Sequence, residues 1–215
     1  IGAWIRDSMA GIGTMTYYDP ETGSFGALGH GITDSDTGIL MPFASGSLLP
    51  SAVKAVKKGA SGEAGELRGD FDLTGDLGDL SANTSSGIFG TLDPGEFTER
   101  LGDAIPVASA GEVHTGPAAI LANVEGDAVK EYDIEILQIV EDAADSRDLV
   151  IAVTDPELLS ITGGIVQGMS GSPILQDGKF AGAVTHVLLN DPSKGYGILM
   201  ETMLEAGDPA ASSVT

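Results

Sequence analysis

The sequence predicts a mainly β protein, built as two β-barrel halves and finished by a C-terminal helix. Three observations point there. Glycine supplies 31 of the 215 residues, and turn signals recur about every eight to twelve residues, which cuts the chain into short segments rather than long helices. An Asp-Gly pair at 177–178 sits between two apolar runs, the strongest short-range signal for a β-hairpin. Only residues 197–207, "GILMETMLEAG", read clearly as a helix, with a glycine to stop it.

Taken in order, residues 11–18 ("GIGTMTYY") and 25–32 ("FGALGHGI") are predicted strands of the first half. Residues 49–59, "LPSAVKAVKKG", fit a strand or a short helix equally well. The acidic, glycine-rich segment 61–95 reads as strands joined by turns whose carboxylates form a solvated face. Residues 117–124, 132–140 and 148–154 are predicted strands of the second half, followed by the hairpin "SPILQDGKFAGAVTHVLL". No repeat or low-complexity linker divides the chain, so a single unit is expected, its two halves meeting near 100–115.

Composition narrows the chemistry. With no cysteine, thiol nucleophiles, disulfides and thiolate metal sites are all excluded. A formal charge of −22 repels nucleic acid and anionic lipid over most of the surface. No apolar run is long enough to span a bilayer and no signal peptide is recognisable. The chain opens on Ile1 rather than Met, the expected mark of a fragment or processed form. The three histidines lie far apart in sequence and no His-Glu-x-x-His pattern occurs, so neither a metal nor a cofactor is expected.

The stretch "GMSGSP" at 168–173 carries the candidate chemistry. A serine becomes a nucleophile when a base takes its proton and donors already wait for the oxyanion. Gly168 and Gly171 open backbone conformations closed to other residues, so the N–H groups of Gly168 and Ser170 can converge as an oxyanion hole. Read alone, the stretch is equally a tight turn before a hairpin, with Ser170 and Ser172 as capping residues. His30, in "GALGHGI", breaks the tie. It precedes Ser170 by 140 residues, the chain order of a chymotrypsin-like double β-barrel in which each half supplies part of the site. An α/β-hydrolase elbow fits worse, because position 172 is Ser where Gly is required and the histidine follows the serine in that fold.

"GMSGSPILQDGKFAGAVTHV" resembles the Gly-x-Ser-Gly-Gly-Pro stretch of trypsin-like peptidases, with Ser172 in place of the second glycine. That likeness makes Thr185, His186 and Val187 an edge on which a substrate backbone adds as a β-strand; His186 is either a wall of that cleft or a packed strand residue. His114, in a loop with no partner in sequence, reads as structural.

A narrower likeness follows. "YYDPETGSFGALGHGITD" (17–34) and "TDPELLSITGGIVQGMSGSPILQDGKFAGAVTHVLLNDPSKGYGI" (154–198) resemble the peptidase domain of the stage four sporulation protein B (SpoIVB) family, with "GELRG" (65–69) as a weaker landmark. The resemblance implies a serine endopeptidase that signals between mother cell and forespore. It would be extracytoplasmic and tethered by a membrane anchor, with a PDZ domain; neither anchor nor PDZ domain is found in this sequence. It would cleave a regulatory membrane protein so that sigma-factor processing is released, with its own chain as a further substrate. It also implies Asp155, in "TDP", as the triad acid, whereas chymotrypsin-like spacing offers Asp70, Asp72, Asp76, Asp79 and Asp93 instead. Asp155 ends the apolar run "VIAVT" and is the more rigidly mounted; as an Asp-Pro it is alternatively a turn former, as Asp34 and Asp36 are. Two classes of function therefore face each other: an endopeptidase using His30, Asp155 and Ser170, and a catalytically silent peptide-binding or scaffold module on the same fold.

Overall fold

The computed structural model describes residues 11–208 apart from 35, 73, 94, 96–100, 127, 141, 142, 144 and 145. Its second half is a closed six-stranded barrel. The strands are β8 (Gly116–Ala122), β9 (Lys130–Ile139), β10 (Leu149–Val153), β11 (Pro173–Gln176), β12 (Lys179–Val187) and β13 (Lys194–Leu199), all antiparallel, in the order β10-β13-β12-β11-β8-β9. Alternation drives the closure: along β9, Tyr132, Ile134 and Ile136 point inward between exposed neighbours. They meet Ile120, Leu149, Ile151, Ile174 and Val184 in one core. Each such side chain gains about 1.5–3 kcal/mol by leaving water. At the β11–β12 turn both Asp177 (φ 52°) and Gly178 (φ 73°) take positive φ, as a two-residue hairpin of this type requires.

The first half is a five-stranded sheet rather than a second closed barrel. It is made of β1 (Met15–Tyr18), β2 (Ser24–Ala27), β3 (Ser47–Leu48), β6 (Gly78–Thr84) and β7 (Gly87–Leu92), in the order β1-β2-β7-β6-β3. Its core is small, centred on Phe25, Ala27, Ile88 and Leu92. A separate hairpin, β4 (Ser51–Lys57) with β5 (Glu66–Phe71), resolves the ambiguous lysine-bearing stretch as a strand. The predicted C-terminal helix begins at Met200, as α2 (Met200–Gly207), because "KGYGIL" continues as β13. A further helix lies between β10 and β11, α1 (Pro156–Thr162). Its sequence signals are Asp155 as N-cap, Pro156 in the first turn, and Gly163 closing it at φ 77°.

The halves are joined by a third apolar cluster in which Phe89 of β7 meets Ala183 of β12, Ile198 of β13 and Met203 of α2, with Tyr17 against its edge. Burial, reinforced by Asp19, pushes the Tyr17 phenol up to about 12. A second junction runs along the segment before β1. Thr14 N–H donates to Ser170 O (2.9 Å), and Leu28 N–H donates to Thr14 O (3.2 Å). Gly171, at φ 91°, fits between them: a Cβ there would lie 2.2 Å from Thr14 O and 2.7 Å from Leu28 N.

Gly171→Ala is therefore expected to cost about 3 kcal/mol or more, positive-φ strain adding to overpacking at the junction. Gly178→Ala, equally left-handed but with nothing within 4 Å, should cost only about 1–2 kcal/mol. Urea denaturation of both variants measures the difference; equal losses would show that the Gly171 crossing is not tight.

Candidate active site

His30 is positioned by the end of β2. Gly29 N–H donates to Ala27 O (2.9 Å) across Leu28, which sits at φ 70°. An i→i+2 bond across a positive φ is a γ-turn of the strained hand, a conformation costing about 1–3 kcal/mol for a bulky residue. The turn ends the strand and sets Gly29 against β12: a Cβ on Gly29 would lie 2.9 Å from the Thr185 methyl. The His30 ring then lies beside that of His186, centroids 4.9 Å apart and tilted by 37°. Its Nδ1 is 2.9 Å from Gly31 O. A carbonyl can only accept, so Nδ1 carries a proton, and in the neutral ring Nε2 is the nitrogen with the lone pair.

Ser170 comes from the other half, on the loop between α1 and β11. Met169 anchors the loop, 1% exposed in the barrel core, and leaves Gly168 and Ser170 partly exposed on either side. The Ser170 hydroxyl donates to Thr185 O at 2.9 Å, and no hydrogen bond joins it to His30. So β12 gathers the predicted residues: Thr185 receives Ser170 and His186 faces His30. Among the described residues the N–H groups of Gly168 and Ser170 have no hydrogen-bond acceptor, while Met169, Gly171 and Ser172 each spend theirs on a backbone carbonyl. Ser172 is 1% exposed and its hydroxyl is buried without a hydrogen-bond partner, which removes it from reach of any polypeptide substrate.

On one side His186 and Val187 of β12 pair with Tyr196 and Gly195 of β13, and Thr185 falls at a bulge in that register. On the other side the β11 register stops at Pro173 opposite Ala183, followed by Val184 N–H to Ser172 O and Gly171 N–H to Val184 O. Beyond that point no strand covers this edge among the described residues, and Thr185 O accepts the Ser170 hydroxyl. The Thr185 side chain turns inward, its hydroxyl donating to Ser146 O (3.0 Å).

Asp155 is not joined to His30. Its carboxylate accepts from Leu158 N–H (2.9 Å) as the cap of α1, and its second oxygen lies 3.5 Å from Asp133 N. Asp72 binds Thr74 and Asp76 binds Gly78 N–H in their own turns. Neither they nor Asp70, Asp79 or Asp93 has a hydrogen bond to His30. Asp34 caps the turn that follows His30 by accepting from Asp36 and Thr37 N–H. His114 contacts Asp177 (2.9 Å) at the hairpin turn, and bonds to Thr115 and Asp177 raise its pKa. Among the described residues no cluster of three or more His, Asp or Glu could hold a metal ion, and no helix is long and apolar enough to cross a membrane. Sequence reasoning missed Thr14 and the Gly31 carbonyl, since nothing local marks a backbone group that is met only across the fold.

A family model described as "SpoIVB peptidase S55" matches residues 1–204. Among solved structures, the chain is similar to the Rv3671c protease from M. tuberculosis in its active form, at 15% identity, over 82% of this chain and 95% of that one, with a TM-score of 0.43. The inactive form of the Rv3671c protease aligns at 15% identity over 61% of this chain and 66% of that one, with a TM-score of 0.41. No curated protein matches the chain.

The cap role of Asp155 is directly measurable. Asp155→Ala should lower stability by about 1 kcal/mol through loss of the α1 cap, and Asp155→Asn, which keeps an acceptor for Leu158 N–H, should stay within about 0.5 kcal/mol of wild type. Chemical denaturation of the pair checks it; an equal loss in both would mean that charge, not the cap bond, is what α1 needs.

Proposed function

The chain is a serine peptidase belonging to the SpoIVB peptidase S55 family, and we propose that it is an endopeptidase with Ser170 as nucleophile and His30 as base. The observation that carries this reading is the meeting of Ser170 and His30, from opposite halves, on one short stretch of β12 beside two unspent backbone N–H groups. A substrate strand adds to the open edge at residues 185–187 and its N–H groups compete for Thr185 O. The displaced Ser170 hydroxyl turns to His30 Nε2, which takes its proton as Oγ attacks the scissile carbonyl. The N–H groups of Gly168 and Ser170 receive the oxyanion. His30 then gives the proton to the leaving amine, and water hydrolyses the acyl-enzyme through the same groups.

Asp155 enters this scheme as the acid through the family resemblance, not through a contact. In the structure the Gly31 carbonyl holds the ring nitrogen that an acid would hold, and Asp155 is engaged with α1. The family also supports the biological role: extracytoplasmic cleavage of a regulatory membrane protein in sporulation signalling, with self-cleavage beside it. The competing reading, a silent peptide-binding module, draws on the Ser170 hydroxyl resting on Thr185 rather than on His30.

A fluorophosphonate probe separates the two: it is expected to label Ser170 and nothing else. Ser170→Ala should abolish turnover, a loss of about 10⁴–10⁶ in kcat, while Ser172→Ala keeps substantial activity. Labelling at Ser172, or peptide binding with neither labelling nor turnover, would sink the proposal. Asp155→Asn discriminates the acid: a kcat loss near 10⁴ at neutral pH is the signature of an orienting carboxylate, and a loss below tenfold assigns Asp155 to α1 alone.

The scheme uses no metal. Chelator is accordingly expected to leave peptidase activity unchanged, and loss of activity restored by zinc would contradict it.

A further inference from the structure

The two candidate oxyanion donors are aimed by different parts of the fold. In a trans peptide the N–H points opposite to the preceding C=O, so each donor is set by whatever holds the carbonyl one residue before it. For Ser170 that carbonyl is Met169 O, which accepts from Ser172 N–H (3.0 Å) inside the nucleophile loop itself. For Gly168 it is Gln167 O, which accepts from Leu67 N–H (2.8 Å), on β5. Gln167 N–H in turn donates to Gly65 O (2.9 Å), and Glu66 and Gln167 form a parallel bridge. Gln167 therefore spends its carbonyl on β5 and its N–H on Gly65 just before that strand, and the Gly168 N–H is directed away from β5.

We propose that Leu67 is a positioning residue for the oxyanion hole, acting through its backbone N–H on the Gln167–Gly168 peptide. The proposal rests on the assignment of Gly168 and Ser170 as oxyanion donors, made above. Three observations support it. The Leu67 N–H is free for this task because Leu67 faces Val56 of β4 while its own N–H turns outward to Gln167. The Leu67 side chain is 4% exposed in the barrel core, so the donor is carried by a rigid mount. The same side chain closes on Gly168, where a Cβ would lie 2.9 Å from Leu67 Cβ; with φ at 100°, that position accepts glycine and little else. The peptide has no such hold within its own loop, so the β4–β5 hairpin, although outside both main sheets, decides whether the site has one oxyanion donor or two.

The test removes one N–H. Leu67→Pro deletes it, Leu67→Ala keeps it while deleting the side chain, and an amide-to-ester replacement at position 67 deletes it while keeping the side chain. Labelling of Ser170 by the fluorophosphonate probe is followed as a saturation curve, which separates probe affinity from the maximal labelling rate. Wild type should label at Ser170, and Leu67→Ala, which loses core packing but keeps the N–H, should label faster than either variant that lacks the N–H. Leu67→Pro and the ester should lower the maximal rate by about 10- to 1000-fold, the upper bound being loss of a whole oxyanion donor, with probe affinity little changed. If Leu67→Pro does not fold, which its melting curve reports, the ester decides. A folded ester that labels as fast as Leu67→Ala overturns the inference while leaving the proposed function standing. Failure of wild type to label at Ser170 overturns both.

Discussion

The site depends on one crossing, where the Ser170 loop of the barrel passes against the backbone of the other half at Gly171. A Cβ there would meet Thr14 O and Leu28 N at less than 3 Å, so the absence of a side chain is what lets the halves approach. Through the same contact Thr14 N–H takes Ser170 O and Thr14 O takes Leu28 N–H. Leu28 is also the strained residue whose turn aims His30. The placement of His30 and Ser170 is thus one event: the backbone that fixes the loop of Ser170 is bonded to the residue that turns His30. The apolar cluster of Phe89, Ala183, Ile198 and Met203 supplies the burial that holds the halves together.

Within the site, polar groups fall into those already satisfied and those left open. The Gly31 carbonyl satisfies His30 Nδ1 and in the neutral ring leaves the lone pair on Nε2. The Ser170 hydroxyl satisfies Thr185 O on β12. The N–H groups of Gly168 and Ser170 are satisfied by nothing described. An added strand would exchange the first kind of contact for its own backbone bonds and fill the second with a carbonyl oxygen, so the unliganded arrangement costs few buried unsatisfied groups. Ser172, unlike Ser170, is buried, and that alone is enough to keep it from a polypeptide substrate.

Acidity is spread around this site rather than built into it. The carboxylates of Asp19, Asp72 and Asp191 are held below their usual range mainly by hydroxyl partners, Thr22, Thr74 and Ser193. A lysine, Lys57, does the same for Glu63. Glu112, engaged by Lys179 and Ser109, is lowered to about 2. These are solvent-exposed turn and surface contacts of small individual worth. They satisfy individual carboxylates of a chain of net charge −22, and none of these carboxylates hydrogen-bonds to His30.

The sequence by itself determined the mainly β class, the Asp177-Gly178 hairpin and the strand-forming alternation of the second half, and it offered His30 and Ser170, the latter in a glycine-flanked loop, as candidate site residues. Those properties are local, or follow from chain order: two positive-φ positions, a period-two pattern, glycines at set offsets. The Asp155–Pro156 signal for α1 is also local, yet the sequence offers Asp155 as a triad acid or a turn former rather than a cap, because an N-cap and a turn-forming Asp-Pro look alike until the residues beyond them fold. Only the tertiary structure decided which serine is reachable, since Ser170 and Ser172 differ by burial between two halves. It also decided that the first half stays an open sheet, and that the lysine-bearing stretch at 51–57 is a strand, because β5 is there to pair with it. Finally, it decided that backbone groups from Thr14, Gly31 and Leu67, distant in sequence from Ser170, hold the site's peptides and tautomer. Backbone N–H and C=O groups are the same in every residue but proline, so no residue type announces such a contact; it exists only once the fold has brought the chains together.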